Sequence, residues 1–258
     1  MKKTLFEINA ITNMGKVRKN NEDNFFVNDF FLSYAQADSG AIYQKEIDIP
    51  FVAGISDGMG GESFGEEAAF ITSSNFYKCL EKFRKPLSDD DIKVCIREIN
   101  QTICNQKSKS GATLAMIYAY DKKITAVSIG DSRIYLYSKG ILKQISKDHT
   151  LAQMQVDAGL ITQKQAKESN LRHGLTQFLG IPSDEMSLDP DFNVLDGIDS
   201  EDIILICSDG LSDMVDDNQI EAILSEKVSV KNKTEKLIET ALDNGGKDNV
   251  TVMTIKAI

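Results

Sequence analysis

Four aspartates recur at one kind of position. Asp57 ends FVAGIS, Asp131 ends AVSIG, Asp209 ends IILICS, and Asp248 stands just before NVTVMTI. Glu22 and Asp23, in RKNNEDNFFV, add a further acidic position. Taken singly each is a turn residue, because Asp-Gly is among the commonest turn pairs. Taken together they put carboxylates at the ends of apolar strands, where an uncompensated charge costs several kcal/mol in lost hydration. Nearby cations are few, Arg18 and Arg133 at most, so metal ions are the natural compensation. Oxygen ligands without histidine or cysteine suit hard divalent cations, Mg²⁺ or Mn²⁺. A calcium loop of the EF-hand kind would need D-x-D-x-D-G with a distal glutamate, and none is present. Gly58, Gly60 and Gly61, in GISDGMGG, allow the backbone to approach an ion or ligand closely. Two hard cations sharing one carboxylate can activate a water in line with a phosphorus while neutralising the phosphate oxygens. Arg18 would add a planar, two-pronged donor to the phosphate, although beside Lys16 and Lys19 it also reads as an exposed surface arginine.

The elements that must position these residues are legible as short runs. TLFEINAIT, NFFVNDFFLSY and IPFVAGIS are rich in aromatic and β-branched residues and read as strands, with AQADSGAIYQKEID as a surface loop between the last two. From Gly65 the period changes to helical, with Ala68, Thr72, Phe76, Leu80 and Phe83 on one face and Pro86 closing the helix. A second helix starts after Ser88, an N-cap ahead of Asp89, Asp90 and Asp91, with Ile92, Cys95, Ile99 and Ile103 on one face. ATLAMIYAY, KITAVSIG, RIYLYSKG and ILKQIS then read as an antiparallel meander. Residues 150–180 hold two short helical pieces with few apolar anchors and read as a flap. DIILICSDG is a strand, helices follow near 217–226 and 232–243, and NVTVMTIKAI is the last strand.

FVAGI, IILIC and ATLAMIYA are apolar at nearly every position, so both faces of those strands need cover. The expected class is α+β: a four-layer α/β/β/α sandwich, two antiparallel sheets flanked by helix pairs, with a small flap. Residues 1–258 read as one domain, with the flap at about 150–180.

The charge balance of 29 basic against 39 acidic side chains gives a net charge of −10, which disfavours nucleic acid or an anionic membrane as partner. No run is long and apolar enough for a membrane span, and the first residues lack a signal-peptide core, so a cytoplasmic protein is expected. Cys79, Cys95, Cys104 and Cys207 contain no C-x-x-C pair and read as reduced, mostly buried thiols.

The stretches GKVRKNNED, SDGMGG, SGATLAMI, IGDSRIYLY, KDHTLAQMQVDAGLIT, LTQFLG, ICSDGL and GGKDNVTVMTI follow one another along nearly the whole chain. In that order they resemble the successive motifs of the metal-dependent serine/threonine protein phosphatases of the type 2C family, in its bacterial form. The resemblance implies hydrolysis of phosphoserine and phosphothreonine in proteins by a metal-activated water, opposing a bacterial serine/threonine kinase. Carried over by motif, it implies that Asp57 bridges two ions, with the Gly58 carbonyl on one of them. Asp209 and Asp248 would complete the first ion's protein ligands, and Glu22 or Asp23 would serve the second ion or the shell around it. Asp131 with Asp209 resembles a third metal position, and Arg18 would grip the phosphate. The implied cofactors are Mn²⁺ or Mg²⁺, two ions with a third as an option. The implied partners are phosphorylated proteins and a cognate kinase, with no nucleic acid, no membrane and a monomeric chain.

Met59 and Glu62 stand where family members carry histidine, so proton delivery to the leaving alkoxide would fall to a metal-bound water. His149 and His173 are the only imidazoles, and both read as structural members of flap motifs. A phosphatase-like adaptor without turnover is a competing class, but every expected carboxylate position is filled. A hydrolase for small phosphoesters is not separated from a protein phosphatase by the residues alone.

Overall fold

The computed structural model of the protein describes residues 5–60, 64–106 and 110–258. The chain opens with strands β1 (Leu5–Asn13), β2 (Asp23–Val27) and β3 (Phe30–Phe31), a short helix α1 (Tyr34–Ser39), then β4 (Ile42–Asp48) and β5 (Phe51–Met59). Two long helices follow, α2 (Gly65–Leu80) and α3 (Asp89–Cys104). Strands β6 (Gly111–Ala112), β7 (Leu114–Tyr120), β8 (Lys123–Ile129), β9 (Arg133–Ser138) and β10 (Ile141–Gln144) come next. Helices α4 (Leu151–Asp157) and α5 (Gln163–Glu168) and a 3₁₀ turn at Asn170–His173 precede β11 (Asp191–Asp196) and β12 (Ile203–Cys207). The chain ends with α6 (Asp209–Ser212), α7 (Asp217–Ser225), α8 (Val230–Asp243) and β13 (Val250–Ala257).

Two antiparallel sheets face each other. One runs β10-β9-β12-β13-β1-β4; the other runs β11-β8-β7-β5-β2-β3, with β6 paired to β5. Three apolar clusters follow from this stacking. The central one, between the sheets, includes Ile8, Phe25, Ile55, Ile117, Ile206 and Ile255. A second joins Phe26, Met116 and Val127 to the inner faces of α2 and α3 through Phe76, Leu80, Ile92 and Ile99. A third joins Leu205 and Val252 to α7 and α8 through Ile220, Leu224 and Leu237. The strands expected to be covered on both faces are so: β12 is buried throughout, as are the first six residues of β5 and of β7. The helix-flanked α/β/β/α sandwich is therefore the observed fold. Among the described residues, no helix is long and apolar enough to cross a membrane.

Four expectations need correction. The stretch 35–48 is not a loop throughout; it carries most of α1 and the edge strand β4, in which Tyr43 is the one fully buried residue. An edge strand that exposes most side chains has the composition of a loop, which hides it. The meander is also divided. β7 and β8 pair in one sheet while β9 and β10 pair in the other, because Gly130 (φ +97°) turns the chain across the sandwich. Helix α2 ends at Leu80 rather than at Pro86, where Lys82 N turns back to the Cys79 carbonyl. Finally, Cys79 and Cys95 are paired as a disulfide between α2 and α3, with Cα atoms 5.6 Å apart, while Cys104 and Cys207 are free. The buried faces of two packed helices bring these two cysteines together, a contact that their spacing in sequence does not announce.

The Ser88 cap forms as expected: its hydroxyl accepts from Asp91 N, and the Asp91 carboxylate accepts from Ser88 N at 2.8 Å. Residues 150–180 have little core of their own; between Leu151 and Phe178 the buried side chains are Ala152 and Ala166. Phe25 carries the opposite role. It is fully buried between the sheets, against Phe30 and Tyr43. Phe25→Ala is expected to cost about 3–5 kcal/mol by urea denaturation, as large-to-small changes in a packed core do.

Candidate active site

The site forms where strand ends of both sheets meet, and close backbone packing sets its dimensions. β2 and β5 pair with Asp23 opposite Asp57. Asp57 N donates to Thr113 Oγ1 at 3.0 Å, and Gly58 N donates to the Glu22 carbonyl at 3.1 Å. A Cβ added at Gly58 would stand 2.1 Å from the Gly65 carbonyl oxygen, so β5 and the start of α2 touch backbone to backbone. Across the site, a Cβ at Gly210 would stand 1.9 Å from the Asn249 carbonyl, which keeps Asp209 beside Asp248. The Asn249 side chain accepts from Glu22 N and donates to the Met14 and Asn20 carbonyls, tying the loop that carries Arg18 to the start of β13.

These contacts surround a cavity of about 580 Å³ whose wall includes Arg18, Glu22, Asp57, Gly58, Asp131, Asp209 and Asp248. The structure thus brings together every predicted site residue except Asp23, which is buried behind Asp57. Asp23 Oδ2 accepts from Ser208 Oγ and from Thr251 Oγ1, both at 2.7 Å. Thr251 Oγ1 in turn lies 2.7 Å from Thr12 Oγ1, which accepts from Asn21 Nδ2. This hydroxyl chain joins β2 of one sheet to β1, β13 and the residue following β12 in the other. Asp23 Oδ1 is buried with no hydrogen-bond partner among the described residues.

Charge dominates the electrostatics. Burial first, and then the neighbouring carboxylates of Asp23, Asp209, Asp131 and Asp248, push the Asp57 carboxyl well above the usual range. Asp209 is raised in the same way, by burial and then by Asp131 and Asp248. Burial raises Asp131 to about 7 and Asp23 to about 6. Arg133 relieves this crowding only in part, at Asp131. Its guanidinium is engaged by Asp148 at 2.6–3.1 Å and by the Tyr135 hydroxyl. Arg18 Nη2 donates to Asp248 Oδ2 at 2.6 Å, which leaves further donors on the same planar fork.

The donor set fits hard divalent cations: carboxylates from both sheets around one cavity, too few cations beside them, and a buried carboxylate oxygen without a partner. Among the described residues, one trio brings its ligand atoms within 4.8 Å of one another, His173, Asp209 and Asp213. The remaining described carboxylates form no such trio.

Comparison with known proteins decides the family. The model of the protein phosphatase 2C family matches residues 35–247. The chain belongs to that family and is a serine/threonine protein phosphatase. It is similar to the serine/threonine phosphatase stp of Listeria monocytogenes, 27% identical over 255 residues, 95% of this chain and 93% of the relative. It is also similar to the crystal structure of the serine/threonine phosphatase PstP/Ppp of Mycobacterium tuberculosis, with TM-score 0.79, 30% identity and 98% of each chain covered. The catalytic domain of PstP in complex with 2 manganese ions aligns with TM-score 0.78 and 29% identity, covering 99% of this chain and 100% of the other. The family is metal-dependent.

In this phosphatase several site residues escaped the sequence reading. Thr113, Ser208, Asn249 and Thr251 act through their side chains, yet each lies inside a quoted motif, where position in the motif was the available signal. His173 borders the cavity with its Nδ1 3.5 Å from Asp213 Oδ2. His149 is structural, as expected: its Nδ1 accepts from Gly130 N at 3.1 Å, just before Asp131, and burial pushes its pKa down. Met59 lines the cavity and Glu62 lies outside the described residues.

Two outcomes are expected. Gly210→Ala should lose about 1–3 kcal/mol of stability together with phosphatase activity, because backbone oxygen cannot move aside as a side chain would. The pH dependence follows from the raised carboxyls. Between their unfolded values near 3.8 and about 7, the folded metal-free chain binds more protons than the unfolded chain. Its stability should therefore fall as pH rises through that window. Melting temperatures in chelator should drop between pH 5 and pH 7.5 and recover with Mn²⁺; a flat or rising trend in chelator would contradict the assignment.

Proposed function

We propose that this phosphatase removes phosphate from phosphoserine and phosphothreonine of cytoplasmic proteins, opposing a serine/threonine kinase. Asp57, the Gly58 carbonyl, Asp209 and Asp248 are the proposed holders of one ion. Asp57 and Glu22 would hold a second ion, and Asp131 with Asp209 would hold a third. The observation that carries this reading is the convergence of six carboxylates, from Glu22, Asp57, Glu66, Asp131, Asp209 and Asp248, on one cavity. Mn²⁺ or Mg²⁺ bound there supplies Lewis-acid charge against the phosphate oxygens and activates a water for attack at phosphorus.

The chain's own residues do the positioning. Arg18 offers a planar guanidinium to the phosphate, and its bond to Asp248 fixes the fork at the cavity mouth. Asp23 holds the floor: its hydroxyl partners come from the opposite sheet, so the strand ends carrying Asp57 and Asp209 keep their separation. Thr113 anchors the Asp57 backbone. Met59, on the wall, has no proton to give to the departing serine or threonine oxygen. Residues 150–180 are proposed as a flap over the site, held at one edge by Arg172 and His173 on Asp213 and by Lys167 on Asp217. The chain is proposed to act as a single-domain monomer.

The test is Mn²⁺-stimulated release of phosphate from p-nitrophenyl phosphate and from phosphothreonine peptides. Asp57→Asn and Asp209→Asn should each lower kcat/KM by more than about a hundredfold, beyond what loss of a residue supporting a ligand costs. Full turnover in excess chelator, or in either variant, would sink the proposal. Turnover of nucleotides in preference to phosphopeptides would move the substrate class to small phosphoesters.

A further inference from the structure

Beside the catalytic cavity, and sharing Asn20 and Glu66 with its wall, lies a second hollow of about 300 Å³. Its walls carry two aromatic rings, Tyr34 and Phe64, that are 45% and 48% exposed where large apolar groups are usually covered. The Tyr34 ring is held in place, and the Phe64 backbone takes an unusual conformation. Tyr34 packs against Phe70 with ring centroids 4.8 Å apart, and Phe70 meets Phe31 edge-on at 5.6 Å. Phe64 takes φ +95°, a backbone region that bulky residues rarely adopt and that persists where surrounding structure imposes it. Asp38, Glu66 and Glu67 share the lining with Asn20 and Asn21, and among the described residues no lysine or arginine contributes to it. The Tyr34 phenol is pushed up by burial and then by Glu67 and Glu66, so these carboxylates act on the ring.

We propose that this hollow is a specificity subsite that takes an arginine or lysine side chain near the phosphorylated residue of a protein substrate. Exposed aromatic faces attract guanidinium and ammonium groups, and carboxylates around them supply the opposite charge. The adjoining cavity, whose lining includes Arg18 and Lys19, would take the phosphate itself. A phosphopeptide that is anionic at its phosphate and cationic at a nearby residue matches both hollows at once. Tyr34 and Asp38 belong to α1, so the short helix that looked like loop in the sequence builds one side of this subsite. The proposal rests on the phosphatase reading, because it assigns the neighbour of that site.

The test compares phosphothreonine peptides that differ at one flanking position, arginine, lysine, alanine or glutamate, with p-nitrophenyl phosphate as a substrate that cannot reach the hollow. Wild-type protein should favour arginine or lysine over alanine by about tenfold in kcat/KM, the size of a partly desolvated cation–π contact. Tyr34→Ala should bring that ratio close to one, and Glu67→Lys should invert it in favour of glutamate, which loss of fold would not do. Equal turnover of all four peptides, or a preference unchanged in both variants, overturns the subsite while p-nitrophenyl phosphate turnover keeps the phosphatase reading intact. Failure to hydrolyse p-nitrophenyl phosphate with Mn²⁺ removes the phosphatase reading, and the subsite with it.

Discussion

The mutual repulsion of carboxylates collected at the ends of two sheets is the constraint around which this molecule is arranged. Burial raises the Asp57 and Asp209 carboxyls most, and the neighbouring charges of Asp131 and Asp248 raise them further. Such a group persists when the rest of the chain forces it together. The sandwich does this with a central apolar core that fixes sheet against sheet, and with glycines at 58 and 210 that leave no room for a side chain between adjoining backbones.

Asp23 shows how the strain is carried. It sits one strand behind Asp57 and reaches across the sandwich to Ser208 and Thr251, so one carboxylate of the cluster serves as a brace between sheets. Its second oxygen has no hydrogen-bond partner among the described residues. Divalent cations in the adjoining cavity would offset the crowded charge, which would link metal binding to folding and not to chemistry alone. The same geometry produces an asymmetric surface: cationic at Arg18, acidic and aromatic at the neighbouring hollow.

Much of this was legible in the sequence because the chemistry repeats. A single Asp-Gly such as Asp57-Gly58 reads as a turn, and the matching strand ends at Asp131, Asp209 and Asp248 change its meaning. Fully apolar strands such as IILIC and FVAGI announced layers on both faces, and the helix periods supplied those layers. What stayed hidden depended on contacts across the fold. β4 is an edge strand with a polar face and resembles loop; the β8-to-β9 turn switches sheets through one left-handed glycine; Cys79 and Cys95 meet because α2 packs on α3. Asp23 and Glu22 could not be told apart by position, and burial separates them: one braces, the other faces the cavity.

Anomalous scattering from crystals grown with Mn²⁺ measures the central assignment most directly. Strong peaks within coordination distance of Asp57, with Asp209 and Asp248 sharing one of them, are the expected result. A metal-loaded crystal with no peak at Asp57, or with manganese bound solely elsewhere on the chain, would contradict it.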